Sequence, residues 1–281
     1  MLIVEQAHAK INWSLDVLAT RADGYHEMDM LMQTIELSDE LRFQRAKWLS
    51  LTINGRQLPV GGKNLVVRAA NALCEFMGKR YGARITLKKR IPVRAGLGGG
   101  SADCAAALIA LNRLWRLNLP KDRLMQIGAT LGADVPFCME GGFARVTGVG
   151  DRMEHLPRPP RIPLVLLIPE EGLSTARVFE AYDEMALPPL GLDIPALSDA
   201  LGAHDYAAAA ALCGNALEAP AIAMLPEIRA SIDRLRNHGA RFARMTGSGS
   251  CVFGAFRTVA EAMAAIEEMR AGILTWTMGE P

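Results

Sequence analysis

Pro92-Val-Arg-Ala-Gly96-Leu-Gly98-Gly99-Gly100-Ser101-Ala102-Asp103 is the stretch on which the reading of this chain turns. Just upstream, residues 83–88 alternate apolar and polar in the manner of a half-buried strand. Downstream, Ser101 is a good N-cap, and an alanine-rich run follows that carries Leu108, Leu111, Leu114 and Trp115. The spacing predicts a helix opening at Ser101 and stopped by Asn118 and Pro120. A glycine loop between a strand and a helix leaves backbone N–H groups without intrahelical acceptors. With the helix dipole behind them, they suit an anion. Glycine also lets phosphate oxygens approach the backbone without meeting a Cβ. The loop lacks the Gly-Lys-Ser/Thr of a Walker motif and the dinucleotide-binding context. The glycines alone fit a bare turn equally well.

Outward from this loop, a second helix is predicted over 121–131, ending at Gly132, then a turn at 133–136 and a strand over 143–146. Toward the N-terminus, strands are predicted over 1–4, 11–17, 31–37 and 49–53. Asn54-Gly55 marks a hairpin turn, and a helix spans 64–76. Four prolines at 157, 159, 160 and 163 mark a crossing between two halves. Beyond it come a strand at 164–168 and helices at 175–185, 194–201, 206–212 and 222–238. Paired strands follow at 241–245 and 251–256, then a helix at 259–269 and a terminal strand over 273–278.

The chain has 281 residues, enough for about two domains. Half the residues are hydrophobic and 22% charged, which excludes a wholly disordered or fibrous chain. A net charge of +1 argues against a nucleic-acid partner or an anionic membrane surface. No apolar run approaches the roughly 18 residues of a membrane span. Cys74, Cys104, Cys138, Cys213 and Cys251 are scattered in apolar segments, as expected of reduced core thiols in a cytoplasmic protein.

Several residues stand out. Lys10 and Asn12 share one face of an otherwise apolar strand, either an exposed face or a cation aimed into a cleft. Tyr25-His26 follows a polar turn, an aromatic pair able to hold a planar base or simply to anchor the loop. Asp134, after Gly132-Ala133, reads by itself as a turn aspartate that caps locally. Thr246-Gly-Ser-Gly-Ser250 is a second glycine loop, between two strands.

Ala9-Lys-Ile-Asn12, Arg21-Ala-Asp-Gly-Tyr-His26, Gly96-Leu-Gly-Gly-Gly-Ser101, Leu131-Gly-Ala-Asp-Val-Pro136 and Met245-Thr-Gly-Ser-Gly-Ser250 together resemble the GHMP kinase superfamily. The second and fourth segments resemble the branch that acts on a cytidylyl-linked methylerythritol. The superfamily loop often reads Gly-Leu-Gly-Ser-Ser-Ser. Here Gly99-Gly100 replace two serines, a form common in that branch.

The resemblance implies an α+β, two-domain GHMP kinase fold. Residues 1–156 would form an N-terminal nucleotide-binding α+β domain and residues 157–281 a C-terminal ferredoxin-like α/β sandwich, with the terminal strand returning to the first domain and the active site between the two. It implies ATP-dependent phosphorylation of the 2-hydroxyl of 4-diphosphocytidyl-2-C-methyl-D-erythritol, with Mg²⁺ bridging phosphates near Ser101. Asn64, Leu65, Pro92, Gly96, Leu97, Gly98, Gly99, Gly100, Ser101 and Ala102 would bind ATP. Asn12, Tyr25, His26, Thr175, Phe179, Gly247, Ser248 and Gly249 would bind the acceptor. Lys10 and Asp134 would be catalytic and adjacent. The partner is a small molecule, not nucleic acid or membrane, and the protein is a monomer or homodimer.

Overall fold

The computed structural model describes residues 1–58 and 62–279. In chain order the elements are β1 (Leu2–Thr20), β2 (His26–Arg45), β3 (Ser50–Ile53), β4 (Arg56–Leu58), α1 (Leu65–Phe76), β5 (Ala83–Lys88), α2 (Gly99–Trp115), α3 (Lys121–Leu131) and α4 (Val135–Glu140). There follow β6 (Phe143–Gly148), β7 (Arg152–His155), β8 (Pro163–Leu167), α5 (Thr175–Met185), α6 (Ile194–Gly202), α7 (Tyr206–Leu212), α8 (Glu218–Met224), α9 (Glu227–Asn237), β9 (Phe242–Met245), β10 (Val252–Ala255), α10 (Val259–Met269) and β11 (Ile273–Trp276).

Two compact units account for these elements. The first comprises Met1–Ala9, Leu37–Pro92 and Gly98–Gly141; the second comprises Lys10–Glu36, Val93–Leu97 and the chain from Gly142 onward. In the first unit, β4, β3, β5 and the C-terminal part of β2 lie side by side. Leu41 and Phe43 pair with Leu87 and Ile85, and Leu51 joins Ile85 from β3. Period-2 alternation puts all five on the buried face and leaves Arg42, Arg84 and Lys88 exposed. The buried face packs on Val66, Val67 and Leu73 of α1 and on Leu108, Leu111 and Leu114 of α2. Helix α2 is apolar nearly all round and is correspondingly buried.

In the second unit the N-terminal part of β2 pairs antiparallel with β6, and β6 with β7. Separately, β11, β8, β10 and β9 form an antiparallel sheet in that order. The chain enters at β8 and returns through helices to the β9–β10 hairpin. It then passes through α10 to β11, the ferredoxin-like order, with β8 and β10 at the centre of the sheet. Helix α9 buries Ile228, Ile232 and Leu235 against β9 and β10. Trp13 of β1 meets Phe242 and Phe253 at 5.6 and 5.4 Å between centroids, and its indole N–H donates to Gln33 at 2.6 Å.

Several expectations are corrected. The strands at 1–4 and 11–17 are one strand, and the strand at 31–37 extends to 26–45, because β-pairing continues through polar residues that periodicity alone cannot assign. Helix α2 begins at Gly99, not Ser101. Gly98 takes the N-cap position with φ +68°, a conformation that costs glycine little, so Ser101 lies inside the first turn. Residues 135–140 form a helix where only a turn is expected, with Pro136 in its first turn where its missing N–H costs nothing. The single helix expected over 222–238 is two, because Pro226 interrupts the ladder.

Candidate active site

In the first unit the strand β5 delivers the chain to buried Ile91 and then Pro92, and the unit resumes at Gly98. The amides of Gly99, Gly100 and Ser101 open α2, where the helix offers them no acceptor. A methyl on Gly99 would fall 2.8 Å from Ile91 Cγ2 and 3.1 Å from Lys89 Nζ; one on Gly100 would touch Leu65 Cδ1 at 3.4 Å. Asn64 caps α1 by accepting from Val66 N–H at 2.9 Å. The structure therefore groups Leu65, beside its cap Asn64, with the glycine turn and Ala102, whose N–H donates to Gly98 O. A Cβ at Gly132 would lie 3.6 Å from Ser101 Oγ, so the turn carrying Asp134 runs beside that hydroxyl. Asp134 stands at the N-cap of α4, yet its side chain makes no capping bond. The local-cap reading of this carboxylate is thereby set aside.

Beneath the glycine turn lies a cluster that sequence reasoning missed. Lys89 Nζ donates to Asp39 Oδ2 at 2.5 Å and to Asp103 Oδ2 at 2.7 Å. Asp39 is fully buried, and its other oxygen accepts the N–H groups of Arg90 and Ile91 at 2.5 and 2.8 Å. Asp103 Oδ1 is buried with no hydrogen-bond partner among the described residues. Burial, opposed by the Lys89 ammonium, pushes the Asp103 carboxyl up to about 7. The one clue in the sequence is an aspartate near the start of an alanine-rich helix.

In the second unit Lys10 and Asn12 are both buried, which excludes the exposed-face alternative. Lys10 Nζ donates to Asn12 Oδ1 at 2.7 Å. That contact turns the Asn12 amide so that its Nδ2, also buried, finds no acceptor among the described residues. Lys10 N–H donates to Leu97 O at 3.0 Å, and Asn12 N–H to Thr246 Oγ1 at 2.9 Å. Gly96 (φ +72°) packs so closely that a methyl would lie 2.1 Å from Thr246 O; one on Gly247 would lie 3.3 Å from Lys10 Nζ. Gly96, Leu97, Lys10, Asn12 and the 246–250 loop thus converge. Ser248 Oγ meets Thr175 Oγ1 at 2.8 Å, which adds the start of α5.

The same unit assembles the aromatic group. His26 stacks on Phe179 with centroids 4.6 Å apart, and its Nε2 pairs with Asp183 Oδ1 at 2.8 Å. Tyr25 stays 65% exposed. Asp183, a turn after Phe179 on α5, is a second residue that sequence reasoning missed. No disulfide occurs among the described residues. Burial pushes the Cys104 thiol up to about 12 and raises that of Cys251 further, as expected of inert core thiols. Among the described residues no helix is long and apolar enough to cross a membrane.

Residues 64–142 match the GHMP kinases N terminal domain, and residues 197–273 match GHMP kinases C terminal. A 4-diphosphocytidyl-2-C-methyl-D-erythritol kinase of Pelotomaculum thermopropionicum is 48% identical over 256 residues, covering 90% of this chain and 89% of the relative. One of Enterococcus faecalis is 42% identical over 257 residues, again covering 90% and 89%. The chain belongs to the 4-diphosphocytidyl-2-C-methyl-D-erythritol kinase family. The crystal structure of a 4-(cytidine 5'-diphospho)-2C-methyl-D-erythritol kinase superposes with TM-score 0.84 and 36% identity, covering 99% of this chain and 100% of that one. The mevalonate kinase of Methanococcus jannaschii shares the fold alone, at TM-score 0.70 and 12% identity over 99% of both chains. Members of this kinase family are ATP-dependent enzymes of isoprenoid precursor synthesis, so the chain is an ATP-using kinase with a small-molecule acceptor.

Proposed function

We propose that the chain transfers the γ-phosphoryl group of ATP to the 2-hydroxyl of 4-diphosphocytidyl-2-C-methyl-D-erythritol, giving ADP and the 2-phosphate, in a reducing cytoplasm that suits five cysteines outside any disulfide. The observation that carries the reading is the buried Lys10–Asn12 pair. Lys10 Nζ holds Asn12 Oδ1, and the buried Asn12 Nδ2 is left without an acceptor among the described residues, a donor whose burial is costly unless a ligand oxygen meets it.

Phosphoryl transfer asks the protein for in-line positioning and charge neutralisation. The amides of Gly98, Gly99, Gly100 and Ser101, with Gly96, Leu97, Pro92 and Ala102 shaping the loop, cradle the ATP phosphates. Asn64 and Leu65 flank the adenine. Asp134, at the N-cap of α4, orients the acceptor hydroxyl and takes its proton late, as the oxygen becomes bonded to phosphorus. Lys10 neutralises the transferring group, and Asn12 Nδ2 donates to the polyol. Tyr25, with His26 propped by Phe179, receives the cytosine; Thr175, Gly247, Ser248 and Gly249 line the acceptor. Ser101 fits a hard cation, since its hydroxyl is not used as a cap and Mg²⁺ takes oxygen ligands. When bound with ATP, Mg²⁺ supplies charge neutralisation on the phosphates.

The test is a coupled assay of ADP release with purified protein, ATP and Mg²⁺. It is run with the cytidylyl substrate, mevalonate and homoserine in parallel. Turnover confined to the cytidylyl substrate is expected. Comparable turnover of either other alcohol, or none of the three, refutes the assignment.

A further inference from the structure

We propose that Asn215, with Glu218 beside it, is a positioning residue for the transfer: it fixes the backbone of residues 245–247 so that this loop holds Lys10 and Asn12 in place. This rests on the reading of Lys10 given above.

Asn215 is buried, and its amide is fully engaged. Nδ2 donates to Met245 O and to Gly247 O, each at 2.9 Å, and Oδ1 accepts from Leu217 N–H at 3.0 Å. Glu218, also buried, accepts the Met245 N–H at 3.0 Å and meets the Arg244 guanidinium at 3.4 Å. The two side chains therefore grip both polar groups of Met245 and the carbonyl of Gly247. The segment is itself tied to β1, because Leu15 N–H donates to Gly214 O and Ala216 N–H to Leu15 O, each at 2.9 Å.

The loop needs such a grip. Gly247 (φ +56°) and Gly249 (φ +84°) make it compliant; its own backbone closes it with the bonds from Thr246 N–H to Cys251 O and from Gly249 N–H to Thr246 O, and Ser248 and Ser250 tie its far end to Thr175 and to Glu171 O. Its other side touches the candidate chemistry. Thr246 Oγ1 takes the Asn12 N–H, and Gly247 leaves no room for a side chain beside Lys10 Nζ. A shift of the loop is thus a shift of the ammonium. A displacement of about 1 Å at such a group costs roughly a hundredfold in rate.

The experiment compares Asn215→Asp, Asn215→Ser, Lys10→Ala and the Asn215→Asp/Lys10→Ala double variant by steady-state kinetics, with folding checked by circular dichroism. Asn215→Asp sets a carboxylate against two carbonyl oxygens. Its kcat should fall roughly a hundredfold while the KM for ATP stays within about twofold. Asn215→Ser keeps one donor and should fall less; it carries the test if Asn215→Asp does not fold. In the Lys10→Ala background, Asn215→Asp should cost no more than about threefold extra, because the group it positions is already gone. Losses that multiply in full would make Asn215 a merely structural residue and overturn the proposal, as would near-normal kcat in both Asn215 variants. Near-normal kcat in Lys10→Ala would overturn the role of Lys10 itself and this proposal with it. Near-normal Asn215 variants beside an inactive Lys10→Ala would overturn this proposal alone.

Discussion

Asp103, in the second turn of α2, carries a titration that can be read as stability. Its carboxyl shares the Lys89 ammonium with Asp39, and its second oxygen is buried without a partner among the described residues. The group titrates at about 7 in the folded chain, against about 3.9 when unperturbed. Between those values the folded state keeps a proton that the unfolded state has released. The unfolded state then binds fewer protons, so this group makes stability fall as pH rises from about 4 to about 7 and leaves it level above. Three pH units at 1.36 kcal/mol each give about 4 kcal/mol. The perturbation is Asp103→Asn, which keeps an acceptor for Lys89 and removes the titration. Urea unfolding of both proteins across about pH 4 to 8 yields the difference in unfolding free energy, in which the other carboxylates cancel. That difference should move in favour of the variant by about 4 kcal/mol over the interval. A difference that stays flat refutes the reasoning. One that moves the other way shows that Lys89 outweighs burial and that Asp103 is ionised throughout.

Asp134→Asn should remove most of kcat while ATP binding, followed by calorimetry, persists; near-normal turnover of the folded variant ends its assigned role. Tyr25→Ala should weaken binding of the cytidylyl substrate by about 1–3 kcal/mol for the lost stack, and Phe179→Ala by a similar amount through the loss of its support to His26. An unchanged KM in both places the cytosine elsewhere. Gly96→Ala forces a Cβ to within 2.1 Å of Thr246 O at a φ of +72°, so the variant should lose activity together with several degrees of Tm. Wild-type melting and turnover would show that the two glycine loops do not pack as described.

Much of the fold was legible because short-range rules govern it. The strand Ala83–Lys88 follows from alternation, the helix Lys121–Leu131 from its stops, and the paired strands β9 and β10 from the glycines between them. Where the reading failed, a non-local or steric term outweighed propensity. Serine is the better N-cap, but Gly98 reaches a left-handed conformation and starts α2 earlier. A helix pattern ran on through Pro226, where the missing N–H divides it.

The candidate site divides the same way. Lys10, Asn12, Tyr25, His26, Asp134 and the two glycine loops were visible because their residue types are odd for their surroundings. An ammonium in an apolar strand or a cluster of glycines is conspicuous without coordinates. Asp39, Lys89, Asp103, Asn215, Glu218 and Asp183 were not visible, since each is an ordinary polar residue until the fold buries it or sets a partner against it. The sequence alone determined which chemistry-bearing groups the chain carries. The tertiary structure decided which of them are taken out of water and which backbone groups they hold. Burial and hydrogen-bond partnership are properties of residues distant along the chain: Lys10 and Gly247 become neighbours only when β1 and the β9–β10 loop share one core.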